Sequence, residues 1–215
     1  MVIYTVITVI VAYLLGSINF AVIFSNAFMK KDVRDMGSGN AGTTNVMRTA
    51  GFLPGALTFL CDALKGFAAC YIGMLVFEYI SHFEPGEWAM PVYGAYICGL
   101  ACMLGHVFPI FYQFKGGKGV ATSVGIFAVC CPIAIVIGLL VFAIVLAFSK
   151  MVSLSSLIAT VTVVTLSIVF YDIDASIWPQ AILSIIMGII VFSKHIENIK
   201  RLISGTENKI GSRRK

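Results

Sequence analysis

Three short polar segments carry the residues of this chain that could do chemistry. We call them islands 1, 2 and 3, and they span residues 30–53, 113–119 and 194–205. Each combines glycine, amide or hydroxyl side chains with Lys, Arg or His. Glycine lets backbone N–H groups approach a ligand closely, Lys and Arg supply positive charge, and Ser and Asn supply oriented hydrogen bonds. Such groups hold phosphate, so the sequence predicts an anion site.

Island 1 is predicted to be a loop that turns to present backbone N–H groups. An ordinary polar loop is the alternative, but the neighbouring apolar spans do not require so many amide and hydroxyl residues in succession. We assign Ser38 and Arg48 to catalysis, because the planar guanidinium of arginine matches phosphate oxygens in pairs. The predicted phosphate-binding residues of this island are Gly37, Gly39, Asn40, Thr43 and Asn45.

Island 2 has the composition of a glycine turn that enters a helix. The first N–H groups of such a helix lack intrahelical partners, and the helix dipole favours an anion there. The segment lacks the spacing of nucleotide-binding phosphate loops, so a bound phosphate with a lysine counter-charge is predicted instead of a nucleotide. We assign Lys118 to catalysis, and to phosphate binding Lys115, Gly116, Gly117 and Gly119.

Island 3 follows the last apolar span. His195 precedes Asn198 by three residues, so both lie on one face if the helix continues. A histidine beside phosphate can act as a general base or as a hydrogen-bond donor, and we assign both residues to catalysis. Glu197 and Arg201 are predicted to have supporting roles. Ser153, expected at the N-cap of an earlier helix, joins the predicted phosphate-binding set.

Two opposite charges interrupt the second apolar span. Asp62 and Lys65 are three residues apart, which places them on one helix face. Either charge alone costs at least about 2.5 to 3.5 kcal/mol in a bilayer. One explanation for their presence in this span is that they neutralise each other, and the other is a supporting role beneath the phosphate site. His106, at the end of the third span, is predicted to be structural, with catalysis as the alternative.

The composition indicates an all-α integral membrane protein. A mean hydropathy of +0.97, with 59% hydrophobic and 12% charged residues, leaves too little polar surface for a soluble domain. Apolar stretches of roughly 20 residues recur, which is the length that a membrane-spanning helix needs. We predict one polytopic membrane domain over residues 1–205, followed by a basic C-terminal tail at 206–215.

The charge distribution predicts the topology. Apart from Lys65, the Lys and Arg residues lie in the islands, at Lys150 and in the tail, whereas the segments at 81–87 and 172–174 contain carboxylates but no Lys or Arg. The positive-inside rule therefore places all three islands in the cytoplasm. The roughly 30 residues from Lys118 to Lys150 exceed one span and fall short of two comfortable ones, so a break is expected at Pro132.

We therefore predict a bundle of seven transmembrane helices with a short or broken fourth helix. In this topology the N-terminus lies outside and the C-terminus is cytoplasmic. A re-entrant hairpin in place of the fourth and fifth helices is the alternative.

The order of the polar motifs resembles that of a known family. The motifs are G-S-G-N-x-G-x-T-N-x-x-R, D-x-x-K-G, G-H-x-F-P with F-K-G-G-K-G-V-A-T, V-S-L-x-S and H-x-E-N-I-x-R-L-x-x-G-x-E. From Leu15 to Glu207 the chain resembles the bacterial acyl-phosphate:glycerol-3-phosphate acyltransferases, the PlsY family. The resemblance implies transfer of a fatty acyl group from acyl phosphate to the sn-1 hydroxyl of glycerol 3-phosphate. The products are lysophosphatidic acid and phosphate, in phospholipid synthesis.

The resemblance also implies where the reaction takes place and which residues serve it. It implies a seven-helix fold in the bacterial cytoplasmic membrane, with the active site on the cytoplasmic side. The family's essential Ser and Arg fall on Ser38 and Arg48, its glycerol-phosphate loop on 115–119, and its His and Asn on His195 and Asn198. Its structural Glu is placed on Glu197.

The expected partners are acyl phosphate, glycerol 3-phosphate and the lipid bilayer, with functional coupling to the enzyme that makes acyl phosphate. No cofactor, metal or nucleic acid is expected. Transfer is predicted to be direct, without an acyl-enzyme: a substrate phosphate oxygen takes the glycerol proton while His195 assists by orientation. A transporter for phosphate or an organic phosphate is the competing hypothesis, since it would also gather cations and glycine in a helical bundle.

Overall fold

The computed structural model describes residues 2–84, 86, 90–169 and 178–211, without the side chains of 178 and 179. Within these residues the regular secondary structure is entirely helical, which confirms the predicted all-α class. The chain forms two compact units, residues 1–130 and 131–215. Several residues used to predict the topology lie outside the described residues: Glu87, Asp172, Asp174, Arg213, Arg214 and Lys215.

The described part of the first unit contains six α-helices and two 3-10 turns. The helices are α1 (Val2–Ser17), α2 (Phe20–Met29), α3 (Thr43–Ala50), α4 (Phe52–Phe83), α5 (Pro91–Val107) and α6 (Val120–Cys130). The turns, Val33–Asp35 and Ile110–Tyr112, lie in island 1 and just before island 2. Helix α4 packs against each of the other five helices of this unit, and most extensively against α5 and α6.

Helices α1 and α2 form one apolar span that breaks at residues 18 and 19. Asn19 has an extended conformation, and its side chain accepts a hydrogen bond from the N–H of Val22 at 3.2 Å. In a continuous helix that N–H would pair with the carbonyl of Ile18. The cap therefore leaves the Ile18 carbonyl in need of another donor.

Small residues bring the helices of the first unit into backbone contact. Gly16 of α1 lies against the carbonyl of Cys102 in α5, and Gly125 of α6 lies against the carbonyl of Ala63 in α4. A Cβ atom at either glycine would collide with that backbone. Close approach through small residues is the usual packing mode of membrane helices, where no hydrophobic force drives helices together.

The second unit contains α7 (Pro132–Ser149), α8 (Val152–Val169), α9 (Trp178–Lys194) and α10 (Ile196–Ile203) among its described residues. Helix α8 packs against both α7 and α9. Gln180 of α9 donates a side-chain hydrogen bond to the carbonyl of Ser167 in α8 at 2.9 Å. Helices α9 and α10 meet at an angle of 61°.

Among the described residues, five helical stretches are long and apolar enough to cross a membrane, or six when the bent α9–α10 pair is counted as one. Helix α6 is apolar but has only 11 residues. At 1.5 Å per residue it measures about 16 Å, against a hydrocarbon core of about 30 Å. The helix break predicted at Pro132 is confirmed, since α6 ends at Cys130 and α7 begins at Pro132. The count of seven spans stays a prediction.

Candidate active site

Island 1 is folded around the side chain of Asn45, which is 1% exposed. Its Oδ1 atom accepts a hydrogen bond from the backbone N–H of Ser38 at 2.9 Å. Its Nδ2 atom donates, at 2.9 to 3.1 Å, to the carbonyls of Val33, Met36 and Asn40. The structure thus corrects the prediction that Asn45 contacts phosphate, because both polar atoms of its amide are committed to the loop that carries Ser38.

The other predicted residues of island 1 lie closer to its surface. Ser38 and Arg48 are exposed, and Arg48 has no carboxylate partner among the described residues. Thr43 is the first residue of α3, and its buried hydroxyl has no hydrogen-bond partner. Gly37 and Gly39 have φ angles of +59° and +71°, which glycine adopts without strain. The loop thus presents polar groups and a cation that no carboxylate of the described chain neutralises.

Island 2 lies on the last turn of α5. The N–H of Gly117 donates to the carbonyl of His106 at 3.1 Å. A Cβ atom on Gly116 would collide with that same carbonyl. A Cβ atom on Gly117 would collide with the His106 imidazole and lie 2.7 Å from the carbonyl oxygen of Ala41 in island 1. Islands 1 and 2 therefore meet at Gly117, where no side chain fits.

A second link, missed by the sequence analysis, joins island 1 to the turn that precedes island 2. It is centred on Arg34. Its Nε and Nη2 atoms donate to Asp32 Oδ2 at 3.0 and 2.7 Å, and these hydrogen bonds hold the pKa of the Asp32 carboxyl below its usual range. Its Nη1 atom donates to the carbonyl of Tyr112 at 3.0 Å, and the guanidinium lies 5.7 Å from the centroid of that ring. The Asp-x-Arg spacing was visible in the sequence, whereas the contact with Tyr112 was not.

A polar cavity of about 410 Å³ opens beside this link. Its lining comes from both islands and consists of Asp32, Arg34, Asp35, Gly39, Gln113, Lys115 and Gly116. Three predicted phosphate-binding residues, Gly39, Lys115 and Gly116, therefore share one cavity. Lys118 is half-buried on the same loop. The volume falls in the range of small-molecule sites.

A buried charged cluster lies beneath island 2. The Nζ atom of Lys65 is 2.7 Å from Asp62 Oδ1 and 2.7 Å from the carbonyl oxygen of Ile18. The Nδ1 atom of His106 is 3.4 Å from the same oxygen of Asp62. All three side chains are at most 6% exposed. The ion pair that the spacing of Asp62 and Lys65 predicted is present, and His106 joins it.

In the second unit, two predicted residues converge on Glu207, whose side chain is 5% exposed. Asn198 Nδ2 donates to Oε1 at 2.9 Å and Arg201 Nε donates to Oε2 at 2.8 Å, whereas the buried hydroxyl of Ser153 has no hydrogen-bond partner in the described part of the chain. Burial by itself would raise the pKa of Glu207, but these hydrogen bonds outweigh it and hold the pKa below its usual range. Glu207 was not among the predicted site residues.

Two predictions in this region are corrected by the structure. Glu197 is 71% exposed and pairs with a neighbouring lysine, so the supporting role assigned to it belongs to Glu207. Ser153 is the second residue of α8 and not its N-cap. The first part of the predicted tail contacts the start of α8, because the N–H of Ile210 donates to the carbonyl of Lys150 at 2.8 Å.

His195 lies buried at the bend between α9 and α10. Its Nδ1 atom is 2.8 Å from the carbonyl oxygen of Val191. Because a carbonyl only accepts, Nδ1 carries the proton, and Nε2 is the basic nitrogen of the neutral ring. This orientation suits the assisting role predicted for His195. The catalytic assignments of His195 and Asn198 stay predictions.

Comparison with known proteins identifies the family. The family model described as glycerol-3-phosphate acyltransferase matches residues 6–205. The chain belongs to the glycerol-3-phosphate acyltransferase family. It is 41% identical over 205 residues to glycerol-3-phosphate acyltransferase 2 of Bacillus anthracis, covering 95% of this chain and 98% of the relative. It is 40% identical over 210 residues to the glycerol-3-phosphate acyltransferase of Thermoanaerobacter sp. (strain X514), covering 98% of both chains.

Two solved structures share the fold. The crystal structure of PlsY, an integral membrane glycerol 3-phosphate acyltransferase, in its glycerol 3-phosphate form superposes with a TM-score of 0.80 at 35% identity, covering 96% of each chain. The lysophosphatidic acid form gives a TM-score of 0.78 at 34% identity, covering 96% of this chain and 95% of that one. The chain is thus a multi-pass integral membrane acyltransferase of phospholipid synthesis, and the resemblance to the PlsY family is confirmed.

Replacing Asn45 with Asp is expected to disrupt island 1. The carboxylate still accepts from the Ser38 N–H, but its second oxygen faces three backbone carbonyl oxygens where the amide had a donor. A buried acceptor without a donor costs about 1 to 3 kcal/mol. We expect a lower thermal unfolding midpoint in detergent and a loss of acyl transfer. Thr49→Val is the control, since that hydroxyl donates only within its own helix. Unchanged stability and activity in Asn45→Asp would show that the loop does not depend on the amide.

Glu207→Gln is expected to lower the free energy of unfolding by about 1 to 3 kcal/mol, because a charged acceptor of two hydrogen bonds is lost. The matched substitution Glu197→Gln, at an exposed carboxylate, should leave the unfolding midpoint unchanged. A carboxyl whose pKa is lowered by folding stabilises the fold above its ordinary pKa, and this contribution is lost as the pH falls through the lowered value. The difference between wild type and Glu207→Gln should therefore shrink on acidification. Equal midpoints for Glu207→Gln and Glu197→Gln at neutral pH would contradict this role.

Proposed function

We propose that this acyltransferase moves a fatty acyl group from acyl phosphate to the sn-1 hydroxyl of glycerol 3-phosphate, giving lysophosphatidic acid and phosphate. The observation that carries the proposal is the meeting of islands 1 and 2 at Gly117, beside a polar cavity that includes Lys115. Two phosphorylated substrates need such cationic, glycine-lined loops. Membership of the acyltransferase family favours this reaction over the transport of an organic phosphate.

Little covalent chemistry is required of the protein, because acyl phosphate is a mixed anhydride with phosphate as its leaving group. The glycerol hydroxyl oxygen attacks the acyl carbonyl carbon, the bond from that carbon to the phosphate oxygen breaks, and a substrate phosphate oxygen takes the proton. No acyl-enzyme forms. Correct positioning of two reactants can contribute about 7 to 11 kcal/mol to lowering the barrier.

The cationic residues of the first unit would stabilise the charge that develops in this reaction. We assign Arg48 and Lys118 to the carbonyl oxygen and the departing phosphate, with Ser38 as a hydrogen-bond donor. On motif grounds we retain His195 as an orienting group and Asn198 as a hydrogen-bond donor. The acyl phosphate donor must come from another enzyme that forms acyl phosphates, to which this protein is functionally coupled.

We also propose that the chain crosses the bacterial inner membrane seven times, with the N-terminus outside and the active site and C-terminus in the cytoplasm. The basic composition of the islands supports this orientation. The short helix α6 and helix α7 would be the fourth and fifth spans, on either side of the break at Pro132.

The donor and the role of Arg48 are tested by phosphate release. Purified wild-type protein is expected to release phosphate from palmitoyl phosphate only when glycerol 3-phosphate is present. Arg48→Ala should reduce the rate by about 10²-fold or more, as loss of one charge-stabilising donor does in other enzymes. Lys31→Ala, at another exposed cation of island 1, should retain the rate.

Palmitoyl-CoA is assayed in parallel, and the regiochemistry of the lysophosphatidic acid is determined by NMR. Transfer from palmitoyl-CoA alone would overturn the proposed donor. A 2-acyl product would overturn the sn-1 assignment.

The orientation is tested by thiol labelling in a background without the six native cysteines. Gly86→Cys is expected to react with a membrane-impermeant maleimide added to right-side-out vesicles. Lys31→Cys should react only after the vesicles are permeabilised, because the positive-inside rule places island 1 in the cytoplasm. The reverse pattern would contradict the proposed orientation.

A further inference from the structure

His106 holds Gly117 in two ways. Its carbonyl accepts the Gly117 N–H at 3.1 Å, and its imidazole occupies the space that a side chain on Gly117 would need. Gly117 in turn lies against the carbonyl of Ala41 in island 1. Any shift of the His106 ring would therefore move the point at which the two islands meet.

The contact between Asp62 and His106 is not needed to balance charge. Lys65 already neutralises Asp62 at 2.7 Å, and Lys65 has a second partner in the carbonyl oxygen of Ile18. The 3.4 Å contact with Asp62 Oδ1 places the Nδ1 edge of the ring beside the ion pair, while the Nε2 edge faces Gly117. The ion pair is itself fixed by helix α4 and by the broken first span, so it forms a rigid base for the ring.

We infer that Asp62 and His106 are positioning residues that fix the glycine loop of island 2 against island 1, and that they thereby set the affinity for the acceptor phosphate. The inference rests on the proposed function insofar as the loop binds glycerol 3-phosphate. Neither residue is assigned a contact with substrate. Their effect passes through the backbone of Gly117.

Two substitutions test the inference without leaving a buried charge unpaired. His106→Phe keeps a ring beside Gly117 but removes the nitrogen that faces Asp62. The double variant Asp62→Asn with Lys65→Gln removes both charges, keeps an N–H donor for the Ile18 carbonyl and leaves His106 in place. Thr58→Val is the control, because Thr58 is equally buried in α4 and its hydroxyl donates only to Pro54 of the same helix.

Two measurements separate positioning from a loss of stability. Hydrogen exchange of the peptide that covers residues 113–119 should be faster by about tenfold in both variants, as expected for a segment with a lower opening free energy. The KM for glycerol 3-phosphate should rise by about tenfold as bound-state order is lost, while the KM for the acyl donor and kcat change little. Thr58→Val should show neither effect, and hydrogen exchange in α4 should stay slow in every protein.

Unchanged exchange of residues 113–119 in folded His106→Phe would overturn the inference. Equal increases in both KM values would also overturn it, because they would indicate a general loss of structure. The exchange measurement requires no turnover. A wild-type protein inactive with acyl phosphate, combined with faster loop exchange in the variants, would therefore refute the proposed donor and leave the positioning role standing.

Discussion

A backbone carbonyl that loses its helical N–H partner within an apolar span needs another donor, and one such carbonyl, that of Ile18, links the helices of the first unit. The Asn19 cap takes the N–H that would have paired with Ile18, and the ammonium of Lys65 replaces it at 2.7 Å. The ammonium of Lys65 is buried and therefore requires a counter-charge, which Asp62 provides on the same helix face. Because Asp62 also contacts His106, one broken span fixes the relation between α2, α4 and the end of α5.

The same need to pair backbone groups explains why the polar residues of island 1 divide into two sets. Asn45 is buried and serves the loop itself, since its amide donates to three loop carbonyls and accepts from one loop N–H. Ser38 and Arg48 are exposed and do not contribute to the loop in this way. Composition alone does not separate these sets, because asparagine suits both a phosphate contact and a loop. Burial separates them, and the residues left exposed are the better candidates for substrate contact.

Two features that depend on short spacing were predicted correctly, whereas the contacts between distant residues were missed. The Asp62–Lys65 pair follows from positions three apart on a helix, and the break at Pro132 follows from the geometry of proline. The contacts of Lys65 with Ile18 and of Arg34 with Tyr112 join residues 47 and 78 positions apart, which no local pattern encodes.

The two glutamates at the end of the chain show the same limit. Glu197 precedes Asn198 in sequence and was given the supporting role, but it projects into solvent from the first turn of α10. After α10 the chain turns at Gly205, with a φ of +70°, and Glu207 returns to the Asn198 and Arg201 side chains.

The glycines of island 2 are required for two different reasons. Gly119 has a φ of +86°, whereas Gly117 lacks a positive φ and is required because His106 and Ala41 leave no room for a side chain. Two of the three glycines of island 2, Gly116 and Gly117, therefore reflect packing against His106, so the position of this loop depends on the residues beneath it as well as on its own conformation.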